Sequence, residues 1–596
     1  TNFRLDRIEV PLAVRFDADF ADVFEVRGTR RLKRGERLPD VNGDDYVMRY
    51  RGLDDRERRA RLQWSRPPDK LEPGRAAFLV RLEPKETTTI VISVTYESDT
   101  VSPAPVLVAG AFDQAVSAIR ARRASQSSSY CRVLSSSAMF NRWLNRSNAD
   151  IQMMLTDTPH GSYPYAGIPW FSTPFGRDGL MTAFELLWIN PGITRGVLLF
   201  LAETQATSFD DAQDAQPGKI LHEMRGGEMA ALGEVPFGRY YGSCDATPLF
   251  VMLAHAYYRR TGDLEFVDGI WPNIGAALQW MQTSGDTDQD GFIDYARKSD
   301  TGLINQGWKD SYDSIFHSDG SMAEGPIALC EVQGYAYAAW KGAARLAALR
   351  DDPTRAEEWS MRAERLRERF ELEFWCEDLN TYALALDGRR RPCRVRTSNP
   401  GHCLFTGIVA PERAKRVCDT LMADASFNGW GVRTVAAGER RYNPQSYHNG
   451  SIWPHDNAII AAGAARYGFT GSAGRILSAT LELSEAVELH RLPELICGFT
   501  RRGRQPTLYP VACAPQAWSA GAVFLMLAAS LGIHIDTPSR RISFSRGRLP
   551  ESIDWIRLTD LKVGDSSVDL QLERHPHDLG VTVIRREGDV EIVTVK

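Results

Sequence analysis

From about residue 113 the apolar residues of this chain recur with a helical period, and helices dominate from there to about residue 534. The period shows first in FDQAVSAIRARRA and then in MFNRWLNRSNADIQMML. Apolar stripes predict helices near 136–155, 178–189, 192–205, 247–261, 264–282, 327–349, 355–373, 410–423, 454–467, 471–489 and 515–532, with a twelfth around 400–409. Twelve helices in hairpin pairs lead to the expectation of a closed (α/α)6 toroid. The connections at about 206–246, 283–326, 424–453 and 490–514 are long and rich in glycine, aromatic and acidic residues. Long loops inside a compact domain are usually functional.

The flanks follow a different rhythm. Residues 1–112 alternate apolar and polar side chains in runs such as RIEVPLAVRFD, AAFLVRLEP and TTTIVISVTYES, broken by Gly, Pro and Asp. That is a β-sandwich pattern. Residues 535–596 return to alternation in RISFSRG, DLQLER and VTVIRREGDVEIVTVK, a β segment expected to join the sandwich or cap the toroid. The expected organisation is therefore multidomain α and β: a sandwich at 1–112, a catalytic helical barrel at 113–534 and a short β segment at 535–596. At 596 residues the chain is too long for one ordinary core.

Composition narrows the partners. A formal net charge of −5, with no basic run longer than RRLKRGER, speaks against nucleic acid and against a charged membrane surface. Small neutral or polar ligands remain. No apolar run approaches ~20 residues, and the chain opens on Thr1 with no visible signal peptide. Nine scattered cysteines without a CxxC read as free thiols of a cytoplasmic protein, with a Cys393–Cys403 bridge the disfavoured alternative. Oligomeric state is not written in the sequence.

Five loops carry candidate chemistry. PWFSTPFGRDGL brings Trp170, Phe175, Arg177 and Asp178 ahead of a helix. It reads either as a helix cap with a surface partner or as a sugar subsite, with aromatic faces for pyranose C–H surfaces and an Arg–Asp pair for hydroxyls. LHEMRGGE and PFGRYYGSCDATP hold Glu223, Arg225, Tyr241 and Asp245; a zinc HExxH is ruled out because Gly226 stands where the second His belongs. DTDQDGFID places Asp286, Asp288 and Asp290 as in a calcium loop, but Arg297 occupies the position of the bidentate Glu. A solvated turn is therefore the expectation, with a structural calcium site as the alternative and no required cofactor. NQGWKDSYDSIF contributes Trp308, Lys309, Asp310 and Asp313, and SYHNGSIWPHDN contributes Asn449, Trp453, His455 and Asp456. HRLPELICGFTRR carries a lone carboxylate, Glu494, between apolar neighbours. One protonated and one ionised carboxyl on opposite walls of a single cup is what glycosidic hydrolysis requires.

The motifs FDADFADVFEVRG, PWFSTPFGRD, GWKDSYDSI, ALCEVQGYAYAA, YHNGSIWPHDN, LPELICGF and QAWSAGA occur in an order and spacing that resemble bacterial amylo-α-1,6-glucosidase or glycogen-debranching-like proteins, related to the family 63 glycoside hydrolases. The resemblance spans nearly the whole chain. It implies an (α/α)6 barrel after a β-sandwich and an inverting mechanism, with Asp310 as general acid and Glu494 as general base. Arg177, Asp178, Trp453, His455 and Asp456 would hold the sugar released. The acid loop departs from relatives with a Gly-Met-Asp-like motif, which keeps Asp313 in reserve. A cation on the acid would lower its pKa, so Lys309 is expected to point to a sugar hydroxyl or another acid, with Asp310 raised by burial against Trp308 and by Glu494. The function expected is an exo-acting α-glycosidase, most simply an α-glucosidase with a small carbohydrate substrate. The alternatives are a phosphorylase using Arg491, Arg501 and Arg502, or a non-catalytic glycan-binding protein.

Overall fold

Alternation in the first hundred residues becomes seven strands: β1 (Ile8–Arg15), β2 (Glu36–Asn42), β3 (Tyr46–Arg51), β4 (Glu57–Trp64), β5 (Lys70–Glu72), β6 (Arg75–Leu82) and β7 (Ile92–Ser98). The computed structural model describes residues 1–43, 45–98, 110–127, 130–576 and 578–595. Residues 99–109, which lead to the boundary expected near 112, lie outside the described residues. The strands form antiparallel sheets ordered β1-β6-β5 and β2-β3-β4-β7. In β6 every second side chain is buried, Ala76, Phe78, Val80 and Leu82, and they share one core with Tyr46, Met48, Ala60 and Leu62 of the other sheet. Period-two alternation and burial of one face are the same fact seen in sequence and in space.

The chain divides into two compact units, 1–126 with 226–238, and 127–225 with 239–596. Residues 226–238 leave the helical part of the sequence to complete the first unit. There Glu228 accepts hydrogen bonds from Tyr50 Oη (3.0 Å), Arg31 Nη2 (3.1 Å) and the Leu53 amide (2.8 Å).

Among its described residues the second unit holds twelve long helices where the apolar stripes place them. They are α1 (Ala138–Met154), α2 (Gly176–Leu186), α3 (Pro191–Glu203), α4 (Ala246–Thr261), α5 (Trp271–Gln282), α6 (Cys330–Ala348), α7 (Pro353–Glu373), α8 (Asn399–Thr406), α9 (Pro411–Met422), α10 (Pro454–Arg466), α11 (Thr470–Ala486) and α12 (Ala517–Leu531). The stretch expected as one helix at 264–282 breaks into Leu264–Gly269 and α5, because Pro272 lacks the amide a continuous helix needs.

Helix burial sorts by parity. The even-numbered helices are apolar nearly all round, and in α2 every residue is buried. They pack in succession, α2 on α4, α4 on α6, α6 on α8, α8 on α10, α10 on α12 and α12 on α2. Close approach rests on small residues: a Cβ on Gly463 of α10 would stand 2.7 Å from the Gly401 carbonyl of α8. Odd-numbered helices bury one stripe only, such as Trp359, Ala363, Leu366 and Phe370 in α7 or Ala414, Val417, Cys418 and Leu421 in α9.

The C-terminal strands belong to this unit. A strand β8 (Arg132–Ser135) ahead of α1 edges a sheet ordered β13-β12-β11-β8, with β11 (Trp555–Val563), β12 (Ser566–Arg574) and β13 (Leu579–Glu587). A second sheet has β9 (Ile533–Asp536), β10 (Arg541–Ser545) and β14 (Glu591–Val595) in that order. Of the two placements left open by the sequence, pairing with the N-terminal strands is not the one adopted. All nine cysteines are free and buried, which removes the Cys393–Cys403 bridge. No described helix is long and apolar enough to cross a membrane.

Candidate active site

Each even-numbered helix is preceded by a connection from which polar residues reach its N-terminal end. Arg177 and Asp178 sit in the first turn of α2 and Asp245 is the N-cap of α4. Glu331 opens α6, Asn399 opens α8, His455 and Asp456 open α10, and Gln516 caps α12. Asp310 lies in the connection before α6, Tyr447 in that before α10, and Glu494 in that before α12. Acidic groups are favoured at helix N-termini, where free amides and the helix dipole supply positive potential.

Arg177 joins the acids. Its Nη1 donates to Asp245 Oδ2 (3.1 Å) and its Nη2 to Asp310 Oδ2 (3.2 Å). Ser243 Oγ donates to the second Asp245 oxygen at 2.6 Å. Asp310 keeps 28 % of its side chain open while protein packs the rest. Burial pushes its pKa up to about 6, against the pull of Arg177 and with help from the negative Asp245. Asp178 accepts from Gln516 Nε2 (3.2 Å), and burial raises it to about 7; Arg177 opposes that shift, and Glu494, Asp310 and Asp245 add to it. Arg177 stays charged because Asp245, Asp310 and Asp178 outweigh its own burial.

Glu494 is the second pole. It is 2 % exposed, and both its oxygens accept: Oε1 from Tyr447 Oη (2.5 Å) and Oε2 from the Cys513 amide (3.1 Å). Its own amide and carbonyl are held by the Cys513 carbonyl (2.8 Å) and Ser519 Oγ (3.4 Å). Burial, then Glu494 and Asp310 together, hold the Tyr447 phenol protonated. That places both carboxylates within electrostatic reach of one hydroxyl.

An aromatic floor runs beside these groups. The His455 ring stacks on Trp518 at 3.7 Å, and Trp453 stacks on His448 at 5.1 Å. Trp308 lies parallel to His402, whose Nε2 meets Asp456 Oδ1 at 2.7 Å. Burial keeps His448 and His455 neutral. Several buried polar atoms here have no hydrogen-bond partner among the described residues: Arg177 Nε, Trp308 Nε1, Asn449 Oδ1, both His455 nitrogens, Asp456 Oδ2 and Gln516 Oε1. Unpaired buried donors and acceptors at this density suit a ligand rich in hydroxyls.

The remaining expected residues divide. Phe175 is buried under Arg225, which pairs with Glu223 at 2.9 Å and donates to the Trp170 carbonyl at 3.3 Å. The Tyr241 hydroxyl is engaged by the Thr204 carbonyl at 2.7 Å. Lys309 departs from expectation. It is 1 % exposed and donates to Asn399 Oδ1 and the Thr434 carbonyl, both at 2.6 Å, and forms no ion pair with a described carboxylate. The cation on Asp310 is Arg177, and Asp245 is a like charge that raises Asp310. Asp313 offers its main-chain carbonyl to Asn449 at 3.1 Å.

In the aspartate-rich loop, the carboxylates that converge within 4.8 Å are Asp286, Asp288 and Asp294, a set that could hold a cation. Asp290 turns instead to Arg390 at 3.1 Å. Arg491 is clamped by Asp150 at 2.8 and 3.0 Å, and Arg501 lies over Trp430 at 4.0 Å. Sequence reasoning left Tyr447 and Gln516 out of the site and named Asp245 only as a residue of its loop, with no role. The sole signal for Asp245 is its place just before a helix, and Tyr447 had only its neighbours in YHNGS.

Comparison with known proteins follows the same division of the chain. Residues 1–93 match the N-terminal domain of (some) glycogen debranching enzymes. The fold is shared with a GH78 family rhamnosidase of Bacillus sp. GL1, at 12% identity and a TM-score of 0.56 over 94% of this chain and 54% of that one. It is shared with a sialidase at 12% identity and a TM-score of 0.54 over 93% and 61%. The chain thus spans about half to three fifths of those proteins. A GH63 mannosylglycerate hydrolase from Thermus thermophilus aligns at 15% identity with a TM-score of 0.46, over 64% of this chain and 99% of that one. No curated protein sequence matches. Residues 177–501, more than half of the chain, match the mannosylglycerate hydrolase MGH1-like glycoside hydrolase domain, and the chain belongs to that glycoside hydrolase family.

Proposed function

We propose that this glycosidase is an exo-acting, inverting α-glycosidase that cleaves a terminal α-glucosidic bond on an (α/α)6 toroid preceded by a β-sandwich. The succession of even-numbered helices, the last packed on the first, supports the toroid. One shared core between the two N-terminal sheets supports the sandwich.

The observation that carries the mechanism is the contrast between two carboxyls. Asp310 is pushed up to about 6, so it can hold a proton for the leaving oxygen, whereas Glu494 accepts two hydrogen bonds as an ionised carboxylate does. In this reading Glu494 takes a proton from water as that water attacks the anomeric carbon, and Asp310 protonates the departing oxygen. Arg177 and Asp178 with the His455–Trp518 floor hold the sugar. A substrate that excludes water would raise Asp310 further and favour its acid form.

Hydrolysis is preferred to phosphorolysis because two of the three arginines that phosphate would need, Arg491 and Arg501, are engaged by Asp150 and Trp430, while Arg502 is exposed. Free thiols suit the cytoplasm. The test is a panel of α-linked disaccharides and glucosyl-polyols, with the product anomer read by NMR. First appearance of the β-anomer, independent of added phosphate, is expected; first appearance of the α-anomer would refute inversion, and dependence on phosphate would refute hydrolysis.

A further inference from the structure

A cavity of about 380 Å³ lies at the other ends of the even-numbered helices. All six lend it residues C-terminal to those that face the carboxylates, and β9 completes its lining. Its size falls within the roughly 300–1,000 Å³ of small-molecule sites. The walls are apolar and aromatic, with Phe184, Trp188, Tyr337, Phe405 and Leu525. Every residue on the lining that carries a full charge is a cation, and no Asp or Glu is among them.

Basic residues near helix C-termini have an ordinary explanation, since they offset the negative end of the dipole. Arg260 fits it, donating twice to the Trp188 carbonyl at 2.9 and 3.1 Å. Arg259 pairs with Asp536 at 3.1 Å and Lys341 with Glu364 at 2.9 Å. Arg345 and Arg466 do not fit it. Both are solvent-exposed residues on the cavity lining, and neither guanidinium has a hydrogen bond or ion pair to a described residue. At the end of α8, beneath the Arg466 guanidinium, the Gly407 amide already meets the Cys403 and Leu404 carbonyls. The two arginines also repel. Although its side chain is exposed, partial desolvation first, then Arg345 and Arg259 against the opposing pull of Tyr467 and Tyr337, lower the Arg466 pKa. Burial with Arg345 and Arg259 holds the neighbouring His255 down to about 3.

We propose that this cavity is a binding site for a small organic anion, an aromatic or aliphatic body carrying a phosphate or carboxylate that Arg345 and Arg466 hold. A planar guanidinium pairs with such oxyanions through two parallel hydrogen bonds, and two of them on one apolar cavity supply both charge and orientation. The apolar walls receive the body of the ligand. The inference rests on the cavity and its cations, and it stands whether or not the glycosidic mechanism above is right.

The test is isothermal titration calorimetry of the full chain with phenyl phosphate, benzoate and inorganic phosphate. One saturable site per chain is expected for an aromatic anion, with phenyl phosphate binding about tenfold or more tighter than inorganic phosphate because its ring is buried. The double variant Arg345→Gln, Arg466→Gln should lose at least about tenfold in affinity while melting no lower than the parent, since it relieves repulsion; a pure dipole role predicts a lower Tm. Ala528→Trp should plug the cavity and abolish binding with the cations intact. Absence of saturable heat with either aromatic anion, equal affinity for phenyl and inorganic phosphate, or unchanged affinity in the double variant would each overturn the proposal; the double variant decides the matter if Ala528→Trp does not fold.

Discussion

The two ends of the same six helices carry opposite chemistry. At the N-terminal ends stand Asp178, Asp245, Glu331 and Asp456, with Asp310 and Glu494 brought in from loops. At the C-terminal ends stand Arg259, Arg260, Arg345 and Arg466. Both choices oblige the helix dipole, yet they end differently. A dipole is worth about 0.3–1 kcal/mol per charge, whereas burial at the N-terminal end moves Asp178 from 3.8 to about 7. Desolvation wins at Asp178 and Asp310, and it turns two carboxylates that would be permanent anions into groups that exchange protons near neutrality. The C-terminal end keeps its charge, because a guanidinium yields its proton far less readily.

Removing the proton-exchanging groups should have the largest effect. Asp310→Asn and Glu494→Gln should each lower kcat by about 10²–10⁴, with circular dichroism unchanged; retention of most activity in Asp310→Asn would transfer the acid role to Asp313. In the wild type, the alkaline limb of kcat/KM should fall near the Asp310 value of about 6, which a pH–rate profile reads directly.

Asp178→Asn should separate activity from stability. The folded pKa lies above the unfolded one, so the contribution of Asp178 to stability is full below about pH 4 and declines as pH rises through about 7. The variant should therefore be more stable than the parent at pH 8, on the order of 2 kcal/mol, and nearly equal at pH 4, while sugar binding is lost. Denaturant melts at the two pH values decide it.

Tyr447→Phe removes a hydroxyl donor to Glu494. It should cost about 10-fold in kcat or more and move the acid limb of the profile upward, since the ionised base loses a partner. Lys309→Met should lower stability by about 1–3 kcal/mol by leaving Asn399 Oδ1 and the Thr434 carbonyl unpaired, and leave KM unchanged. A raised KM with unaltered stability would restore Lys309 to the sugar site. The smallest effect belongs to the opposite end, where Arg345→Gln alone should leave kcat within about twofold.

Much of this was legible in the sequence because helices announce themselves by period and the site by its loops. The stripe Trp359, Ala363, Leu366 and Phe370 is a helix face in either representation. Asp310 and Glu494 could be named from motif order, but their environment could not. Lys309 adjoins Asp310 in sequence and turns away from it, while Arg177 lies 133 residues distant and touches it. Which cation meets which acid is decided by how loops fold back on helix ends, and no periodicity encodes that. The basic cavity was equally invisible, since its arginines come one or two to a helix and are brought together only by packing.

The excursion of residues 226–238 into the first unit has a consequence for synthesis. Arg31 is almost wholly buried, and the carboxylate it meets at 3.1 Å, on Glu228, arrives nearly two hundred residues later. A ribosome that has released only the first 126 residues therefore exposes a β unit missing its last piece, with α1, α2 and α3 emerging before that piece is made. Nascent chains grow at about 5–20 residues per second, so this unit waits several seconds for its closing residues and matures together with the beginning of the helical body rather than ahead of it.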